Sequence, residues 1–128
     1  MTLRKKLASA AVGAAAAATL VLGVANPANA AGTKSYNAYT TDGCAYVEFD
    51  SYGEHFKISD GCFDGYGVAV QFKLGSSGTV YTRFNHNGGY TTVDDDESFA
   101  EGAVVYFRAC VSTGTTIKYC GAWTYATA

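Results

Sequence analysis

The chain has 128 residues, of which 16% are charged and 14% aromatic, and its formal net charge is −2. Without the 30-residue leader described next, six basic residues face eleven acidic ones in the remaining 98 residues, and the net charge becomes −5. This balance argues against nucleic acid or an anionic membrane as the main partner, because binding of phosphate groups needs clustered Lys and Arg. The remaining length is that of one compact domain.

The first 30 residues have the features of an export signal. A cationic start at residues 4–6 precedes an apolar or small run over residues 7–24, and an Ala-Asn-Ala pattern ending at Ala30 suits a signal peptidase. The run is mostly alanine and lacks a polar anchor, which disfavours a retained membrane helix. We therefore predict a signal peptide at 1–30 and a single secreted, extracellular β domain at 31–128.

All the cysteines lie in the predicted mature part, and they are Cys44, Cys62, Cys110 and Cys120. An exported chain meets an oxidising environment in which thiols pair, so two disulfides are predicted. Of the three possible connectivities we favour Cys44 with Cys62 and Cys110 with Cys120, because each pair closes one local hairpin. A zinc site is disfavoured, since the cysteines lack a short C-x-x-C pair.

Residues 31–128 show apolar alternation with a period of two, broken by glycine-containing turns, and no sustained 3.6-residue repeat. Residues 31–39 are expected to form a ragged arm. Segments 45–50 and 55–59 then form the first predicted hairpin, in which Phe49 lies opposite Phe56 and the chain turns at Tyr52-Gly53.

Segment 68–74 is the clearest predicted strand, and a GSSG turn leads from it into segment 79–85. In the second segment alternation predicts a core-facing set and an outward-facing set, which are Val80, Thr82 and Phe84, and Tyr81, Arg83 and Asn85. Segments 90–93, 103–111, 116–120 and 122–126 complete about seven strands. This pattern predicts an all-β fold, a small antiparallel β-sandwich or a partly closed barrel with two disulfides.

The run YTTVDDDESFAEG, residues 90–102, places four carboxylates side by side at Asp94, Asp95, Asp96 and Glu97. We interpret the run as a solvated loop whose charges discourage edge-to-edge pairing of sheets. In an extended segment only Asp94 and Asp96 would point the same way, so this pair alone could share a calcium ion. The calcium-loop pattern D-x-[DN]-x-[DN]-G is missing, and neither a metal site nor a cofactor is predicted.

Aromatic side chains are the most unusual part of the composition, since all 7 Phe, 10 Tyr and 1 Trp fall in residues 31–128. The predicted core positions hold Phe49, Phe56, Phe72, Phe84 and Phe107. Other rings fall in turns or alternate away from the apolar face, and exposed Tyr and Trp supply rigid contact area in protein and carbohydrate recognition. Together with one turn carboxylate, the predicted binding residues are Tyr52, Asp64, Tyr66, Tyr81, Tyr90, Trp123 and Tyr125. Alternatively, these rings only cover a thin sandwich.

A small ribonuclease is the leading enzymatic alternative on grounds of size. It would need a Glu as base, a His as acid and an Arg on the phosphate. The candidates are Glu48 or Glu54, His55 or His86, and Arg83 or Arg108. No local motif joins them, no G-x-S-x-G elbow is present, and little chain remains for a glycosidase cleft. No catalytic residue is therefore predicted.

Three segments carry a resemblance that spans Cys44 to Trp123, namely DGCFDGYGVAVQF, VVYFRACV and YCGAW. They resemble the small exported proteins that actinobacteria encode in many uncharacterised copies. That resemblance implies a secreted β-sandwich without an established activity or catalytic residues. The chain is also similar in size to the small two-disulfide α-amylase inhibitors of such bacteria, but it lacks their Trp-Arg-Tyr inhibitory turn.

The missing catalytic motif and the surplus of aromatic side chains together predict a secreted, non-enzymatic binding protein. Its partner would be an extracellular protein, for which the chain acts as an inhibitor or interaction module, or a glycan. A small secreted hydrolase and a carbohydrate-binding module are the alternatives. The protein is expected to be a monomer.

Overall fold

The structure is a computed structural model that describes residues 35–128. These residues form nine β-strands and no helix, so the predicted all-β fold with two disulfides is confirmed. The strands are β1 (Ser35–Tyr39), β2 (Ala45–Asp50), β3 (His55–Asp60), β4 (Gly67–Leu74), β5 (Tyr81–Asn85), β6 (Thr91–Asp96), β7 (Val104–Thr113), β8 (Thr116–Cys120) and β9 (Thr124–Thr127). The predicted signal peptide at 1–30 lies outside the described residues. Within residues 35–128 there is no helix long and apolar enough to span a membrane.

The strands form two antiparallel sheets that pack face to face. The four-stranded sheet has the order β1-β2-β3-β6. The five-stranded sheet has the order β5-β4-β7, and both β8 and β9 pair with the remaining edge of β7. Strand β1 lies in the predicted ragged arm, yet it pairs along its whole length with β2 and covers that edge. Among the described strands no ladder joins β5 to β6, so the fold is a sandwich and not a closed barrel.

The core lies between the sheets and consists mainly of the apolar side chains that alternate along the strands. Phe56 of the four-stranded sheet packs on Phe72 and Phe107 of the five-stranded sheet, with ring centroids 5.0 and 5.7 Å apart. Contacts of this kind stabilise a core beyond the area they bury. The β2–β3 hairpin has the predicted register, with Phe49 opposite Phe56.

Both disulfides have the predicted connectivity. Cys44 is bonded to Cys62 at the open end of the β2–β3 hairpin, and Cys110 is bonded to Cys120 between β7 and β8. The amide of Gly61 donates a hydrogen bond of 2.8 Å to the carbonyl of Cys44, which extends the hairpin up to its disulfide. Two disulfides are compatible with an extracellular protein.

The prediction of which β5 side chains face the core is wrong. Tyr81 lies opposite the buried Phe72 in the β4–β5 ladder, so Tyr81, Arg83 and Asn85 share the core side of the sheet. Asn85 is fully buried, whereas Phe84 lies half-buried on the outer face. Both faces of this segment mix polar and apolar residues, so alternation alone does not identify its core side.

The acidic run is also not a solvated loop, because its three aspartates are the second half of strand β6 and pair with β3. The predicted alternation is confirmed. Asp94 and Asp96 lie on the outer face, where their carboxylates are 2.9 and 3.8 Å from the ring nitrogens of His55. Glu97, on the opposite face, is 2.8 Å from Nε of Arg83. His55 on one face and Arg83 on the other give the consecutive carboxylates polar partners within the strand.

Candidate functional site

Three loops that are distant in the chain meet at one end of the sandwich. They are the β3–β4 loop, the β5–β6 loop and the β7–β8 turn, and they enclose a groove of about 280 Å³. Five glycines line the groove together with Phe63, Tyr66 and His86. Backbone amides and carbonyls therefore form much of its wall, and the aromatic rings stand at its border.

Phe63 and Tyr90 form an exposed aromatic rim beside the groove. Their ring centroids are 6.3 Å apart with the planes inclined by 16°, and the two residues are 84% and 77% exposed. The nearly parallel rings offer adjacent contact area to a partner. Large apolar side chains exposed together are typical of interaction sites.

The backbone of Tyr90 is strained. Its φ of 59° lies in the left-handed region, which is unfavourable for a bulky side chain and accessible to glycine. The amide of Tyr90 donates a hydrogen bond of 2.7 Å to the carbonyl of Asp60, which fixes the residue against the end of β3. Backbone strain of this kind is concentrated at functional positions. The fold thus presents an aromatic ring where a glycine would be more favourable.

Two glycines allow the loops to approach closely enough to form the groove. A Cβ atom on Gly89 would overlap the carbonyl oxygen of Cys62 and lie 2.9 Å from Cα of Phe63. A Cβ atom on Gly67 would lie 2.8 Å from Oγ of Ser112. A larger residue at either position would displace the rim or fill the floor of the groove.

Carboxylate oxygens hold the β3–β4 loop in its turns. Asp60 Oδ1 accepts a hydrogen bond of 3.0 Å from the amide of Cys62, and Asp64 Oδ1 accepts one of 3.0 Å from the amide of Tyr66. Aspartate stabilises turns by accepting from an amide two residues further along the chain. Asp64, a predicted binding residue, therefore shapes the loop that carries Tyr66.

Asn85 connects the two sheets beneath the groove. Its Nδ2 donates hydrogen bonds to the carbonyls of Ile58 and Thr91 at 2.9 and 3.0 Å, and its Oδ1 accepts one of 2.9 Å from the amide of Asn87. A buried amide with its hydrogen bonds made is compatible with a core position. Sequence reasoning misses this role because it places Asn85 on the outer face.

Three polar side chains lie around the groove. The ring of His86 stacks on Phe84 at 5.0 Å with an interplanar angle of 14°, and Nζ of Lys118 lies 4.1 Å from the centre of the Tyr66 ring. Oγ of Ser112 is buried and has no hydrogen-bond partner within residues 35–128. The groove therefore combines aromatic rings with a small number of polar groups, as recognition sites commonly do.

The structure brings together three of the seven predicted binding residues, because Tyr66 lines the groove, Tyr90 forms its rim and Asp64 shapes the loop between them. The other four lie elsewhere. Tyr52 is at the opposite end of β3, Tyr81 stacks on a core ring, and the outer face of the five-stranded sheet carries Trp123 and Tyr125.

Phe63 is the main residue of the groove that sequence reasoning misses. The segment DGCFDGYG signals its position, because glycines and aspartates on both sides place this phenylalanine in a turn instead of a strand. In the sequence, His86 is only a candidate acid of the ribonuclease alternative. Its position beside the HNGGY glycines marks the second loop of the groove.

The candidate residues of the ribonuclease alternative lie on separate surfaces. Glu48 and His55 are on the outer face of the four-stranded sheet, whereas Arg108 is on the outer face of the five-stranded sheet. Arg83 contacts Glu97 at the open side of the sandwich. Glu48, His55 and Arg108 are therefore not assembled into one site.

Three carboxylates away from the groove have shifted pKa values. Hydrogen bonds, above all from Thr40, lower the pKa of Asp42, and the hydroxyl of Tyr46 lowers the pKa of Glu48. Burial and a hydrogen bond with Asp95 raise the pKa of Glu97. Arg83, whose Nε lies 2.8 Å from Oε1 of Glu97, opposes this increase in pKa.

Two groups of residues have the composition of metal ligands. Cys44, Cys62 and Asp64 have potential ligand atoms within 4.8 Å of one another, but both sulfur atoms belong to a disulfide and supply no thiolate. Asp94 and Asp96, the pair considered for calcium, both contact His55. In each group the potential ligand atoms already have protein partners.

Comparisons of the chain with protein-family models, curated proteins and solved structures find no match. The resemblance to small exported proteins of actinobacteria therefore stays an expectation. The groove and its aromatic rim are the features from which a function can be inferred.

Proposed function

We propose that this protein is a secreted, non-enzymatic binding protein whose partner is an extracellular protein, for which it acts as an inhibitor or interaction module. The observation that carries the proposal is the stacked and exposed pair of Phe63 and Tyr90. Aromatic residues held in place at a surface supply a large share of binding energy in protein interfaces. The adjacent groove would receive a side chain or a short loop of the partner.

A protein partner is favoured over a neutral sugar at this end of the molecule. Phe63 has no polar atom and projects into solvent, so a pocket of apolar side chains would complement it best. The strained backbone of Tyr90 supports the same proposal, because a turn without a binding role would be more stable with glycine at that position.

Secretion is part of the proposal, and it is supported by the leader features and by the two disulfides. We also propose that the chain is one of the small exported β-sandwich proteins of actinobacteria, and that it acts as a monomer. Protein recovered from the culture medium should have the mass of a chain that begins at Ala31 with both disulfides closed. A retained leader would contradict export.

The binding proposal is tested by using the immobilised protein to capture proteins from the culture medium, and by titrating the purified captured protein against variants. Tyr90→Gly removes the aromatic ring and also the energetic cost of the positive φ, which glycine adopts without strain. The variant should be at least as stable as the natural protein, yet bind about 30-fold more weakly, as expected for a residue that contributes about 2 kcal/mol. Phe63→Ala should weaken binding to a similar extent.

Tyr52→Ala is the matched control, because Tyr52 is 76% exposed and lies at the other end of β3. It should leave the affinity unchanged. An equal loss for Tyr52→Ala and Tyr90→Gly, or no loss for Tyr90→Gly, would contradict the proposed site. Turnover of RNA that disappears in His86→Ala would contradict the non-enzymatic proposal.

A further inference from the structure

The two sheets differ in the charges that their strands carry. The five-stranded sheet contains four cationic residues, Lys73, Arg83, Arg108 and Lys118, and no Asp or Glu. The four-stranded sheet contains six carboxylates and one lysine. A chain with an excess of acidic residues therefore has one sheet whose strands are exclusively cationic.

Two of these cations contact the ring of Trp123. Nζ of Lys73 and Cζ of Arg108 each lie 4.5 Å from the centre of its ring. Neither residue forms an ion pair with any of residues 35–128. Both positive charges lie at one aromatic ring, so an anion that reaches both of them would be stabilised by both.

The guanidinium of Arg108 is fixed in orientation. Its Nε and Nη2 donate hydrogen bonds of 3.0 and 2.7 Å to Oε1 of Gln71, while Nη1 makes no hydrogen bond to the described residues. An oriented guanidinium with a free N–H edge is well suited to a carboxylate or a sulfate. Lys73 adds an ammonium that contacts only aromatic rings.

Two tyrosine rings lie next to Lys73 on the same outer face of the five-stranded sheet. Lys73, Tyr106 and Tyr125 lie side by side on β4, β7 and β9, and the centroids of the two tyrosine rings are 5.7 Å apart. Tyr125 is 63% exposed. We call the set Lys73, Tyr106, Arg108, Trp123 and Tyr125 the cation–aromatic face.

We propose that the cation–aromatic face binds an anionic sugar chain, one whose rings carry carboxylate or sulfate groups. The anionic groups interact with Lys73 and Arg108, and the C–H face of a neighbouring sugar ring packs on Tyr125. An acidic peptide is the competing ligand, and the test below includes poly-glutamate to distinguish it. The site is independent of the groove between the loops and of its proposed protein partner.

The test uses the fluorescence of Trp123, the only tryptophan of the chain. The purified protein is titrated with a galacturonic acid oligomer and with its methyl ester, which has the same rings without charge. We expect a saturable change with the acid and an affinity at least about tenfold lower for the ester. The affinity for the acid should decrease as ionic strength rises, because salt screens exposed charges. A sulfated oligosaccharide of equal length separates sulfate from carboxylate preference.

Lys73→Gln and Arg108→Gln should each weaken binding about tenfold, the loss expected for one charge-assisted hydrogen bond. Lys73→Arg keeps the charge and should restore most of the affinity. Lys57→Gln is the matched control, since it removes one positive charge from the four-stranded sheet, where Lys57 pairs with Glu48. It should change the affinity by less than about twofold.

Several outcomes would overturn the proposal. Equal affinity for the acid and its ester would show that charge does not contribute to binding. An equal loss of affinity in Lys57→Gln and Lys73→Gln would show that the ligand does not bind at the cation–aromatic face. Binding of poly-glutamate as tight as that of the sugar acid would indicate an acidic peptide. No fluorescence change up to about 1 mM of any anionic oligosaccharide would exclude a specific site.

Discussion

The outer faces of the two sheets arrange their charges in opposite ways. On the four-stranded sheet Asp94 and Asp96 flank His55, and Glu48 lies 3.4 Å from Lys57, so acid and base meet across neighbouring strands. On the five-stranded sheet the cations lie over aromatic rings. Charged and polar side chains of the first face thus contact one another, whereas the cations of the second contact aromatic rings and remain available to a ligand.

The two sheets meet at their free edges, β5 and β6, where polar contacts replace a ladder of backbone hydrogen bonds. Arg83 of β5 reaches Glu97 just after β6 and lies over the ring of Phe72, with Cζ 5.4 Å from its centre. Asn85 bonds to the backbone of β3 and β6 nearby. The two sheets can therefore be compared by measuring stability after removing the disulfide of each sheet, and then after removing the polar contacts between the sheets.

The largest expected decrease in stability follows from removing a disulfide, and each sheet has one. Replacing Cys44 and Cys62, or Cys110 and Cys120, by serine opens loops with sequence separations of 18 and 10 residues. Each double variant should lower the free energy of unfolding by about 3 kcal/mol, measured by urea unfolding.

Partner binding at the groove should distinguish the two disulfides. The first double variant also loosens Phe63, which follows Cys62 directly, and should weaken binding to the captured protein. The second should weaken binding less, because its disulfide joins β7 to β8 and the aromatic rim of Phe63 and Tyr90 lies on other loops. A larger loss of binding in the second double variant would show that the partner depends more on the β7–β8 turn than on the loop that carries Phe63.

A smaller loss is expected for Asn85→Ala, which cuts the hydrogen bonds between the sheets. The change leaves the carbonyls of Ile58 and Thr91 without their partner and should lower the free energy of unfolding by about 2 kcal/mol. Asn87→Ala is the control on the same loop, since Asn87 is exposed, and it should cost less than about 0.5 kcal/mol. Equal stability of the two variants would show that Asn85 does not hold the sheets together.

The smallest effect concerns the pH dependence of stability at the same junction. Because the pKa of Glu97 is raised in the fold, its protonated form is favoured there. Its stabilising contribution is complete below the ordinary value of 4.5 and is lost as pH rises through the raised pKa. Unfolding measured across this interval should show stability falling with pH in the natural protein relative to Glu97→Gln.

Glu48→Gln provides the control with the opposite sign. The pKa of Glu48 is lowered, mainly by the hydrogen bond from Tyr46, so its contribution is present above 4.5 and is lost as pH falls through the lowered pKa. Relative to Glu48→Gln, the natural protein should lose stability towards acid pH. If the natural protein lost stability towards acid pH relative to both Glu97→Gln and Glu48→Gln, the fold would not favour the protonated form of Glu97.

Features that depend on neighbouring residues are predicted correctly from the sequence. The β2–β3 register follows from apolar alternation on both sides of one tight turn, and Phe49 lies opposite Phe56 as expected. The pairing of Cys44 with Cys62 follows from the same hairpin. The division of the acidic run between two faces also holds, because alternation is a property of any extended backbone.

Predictions fail where a segment depends on contacts with other parts of the chain. Alternation in β5 leaves two acceptable faces, and hydrogen bonds from Asn85 to β3 and β6 determine which of them is buried. The acidic run is interpreted as a solvated loop whose charges discourage edge-to-edge pairing. Its aspartates instead pair with β3 as a strand, and His55 and Arg83 contact the carboxylates on its two sides.

The two proposed binding surfaces show the same division. The chain alone indicates that aromatic residues exceed the needs of the core, and that glycine-rich turns interrupt the strands. That Phe63 stacks on Tyr90, and that the ring of Trp123 contacts both Lys73 and Arg108, follows from the order of the strands in the sheets. Strand periodicity arises from consecutive residues, whereas a binding surface combines residues from loops and strands that are distant in the chain.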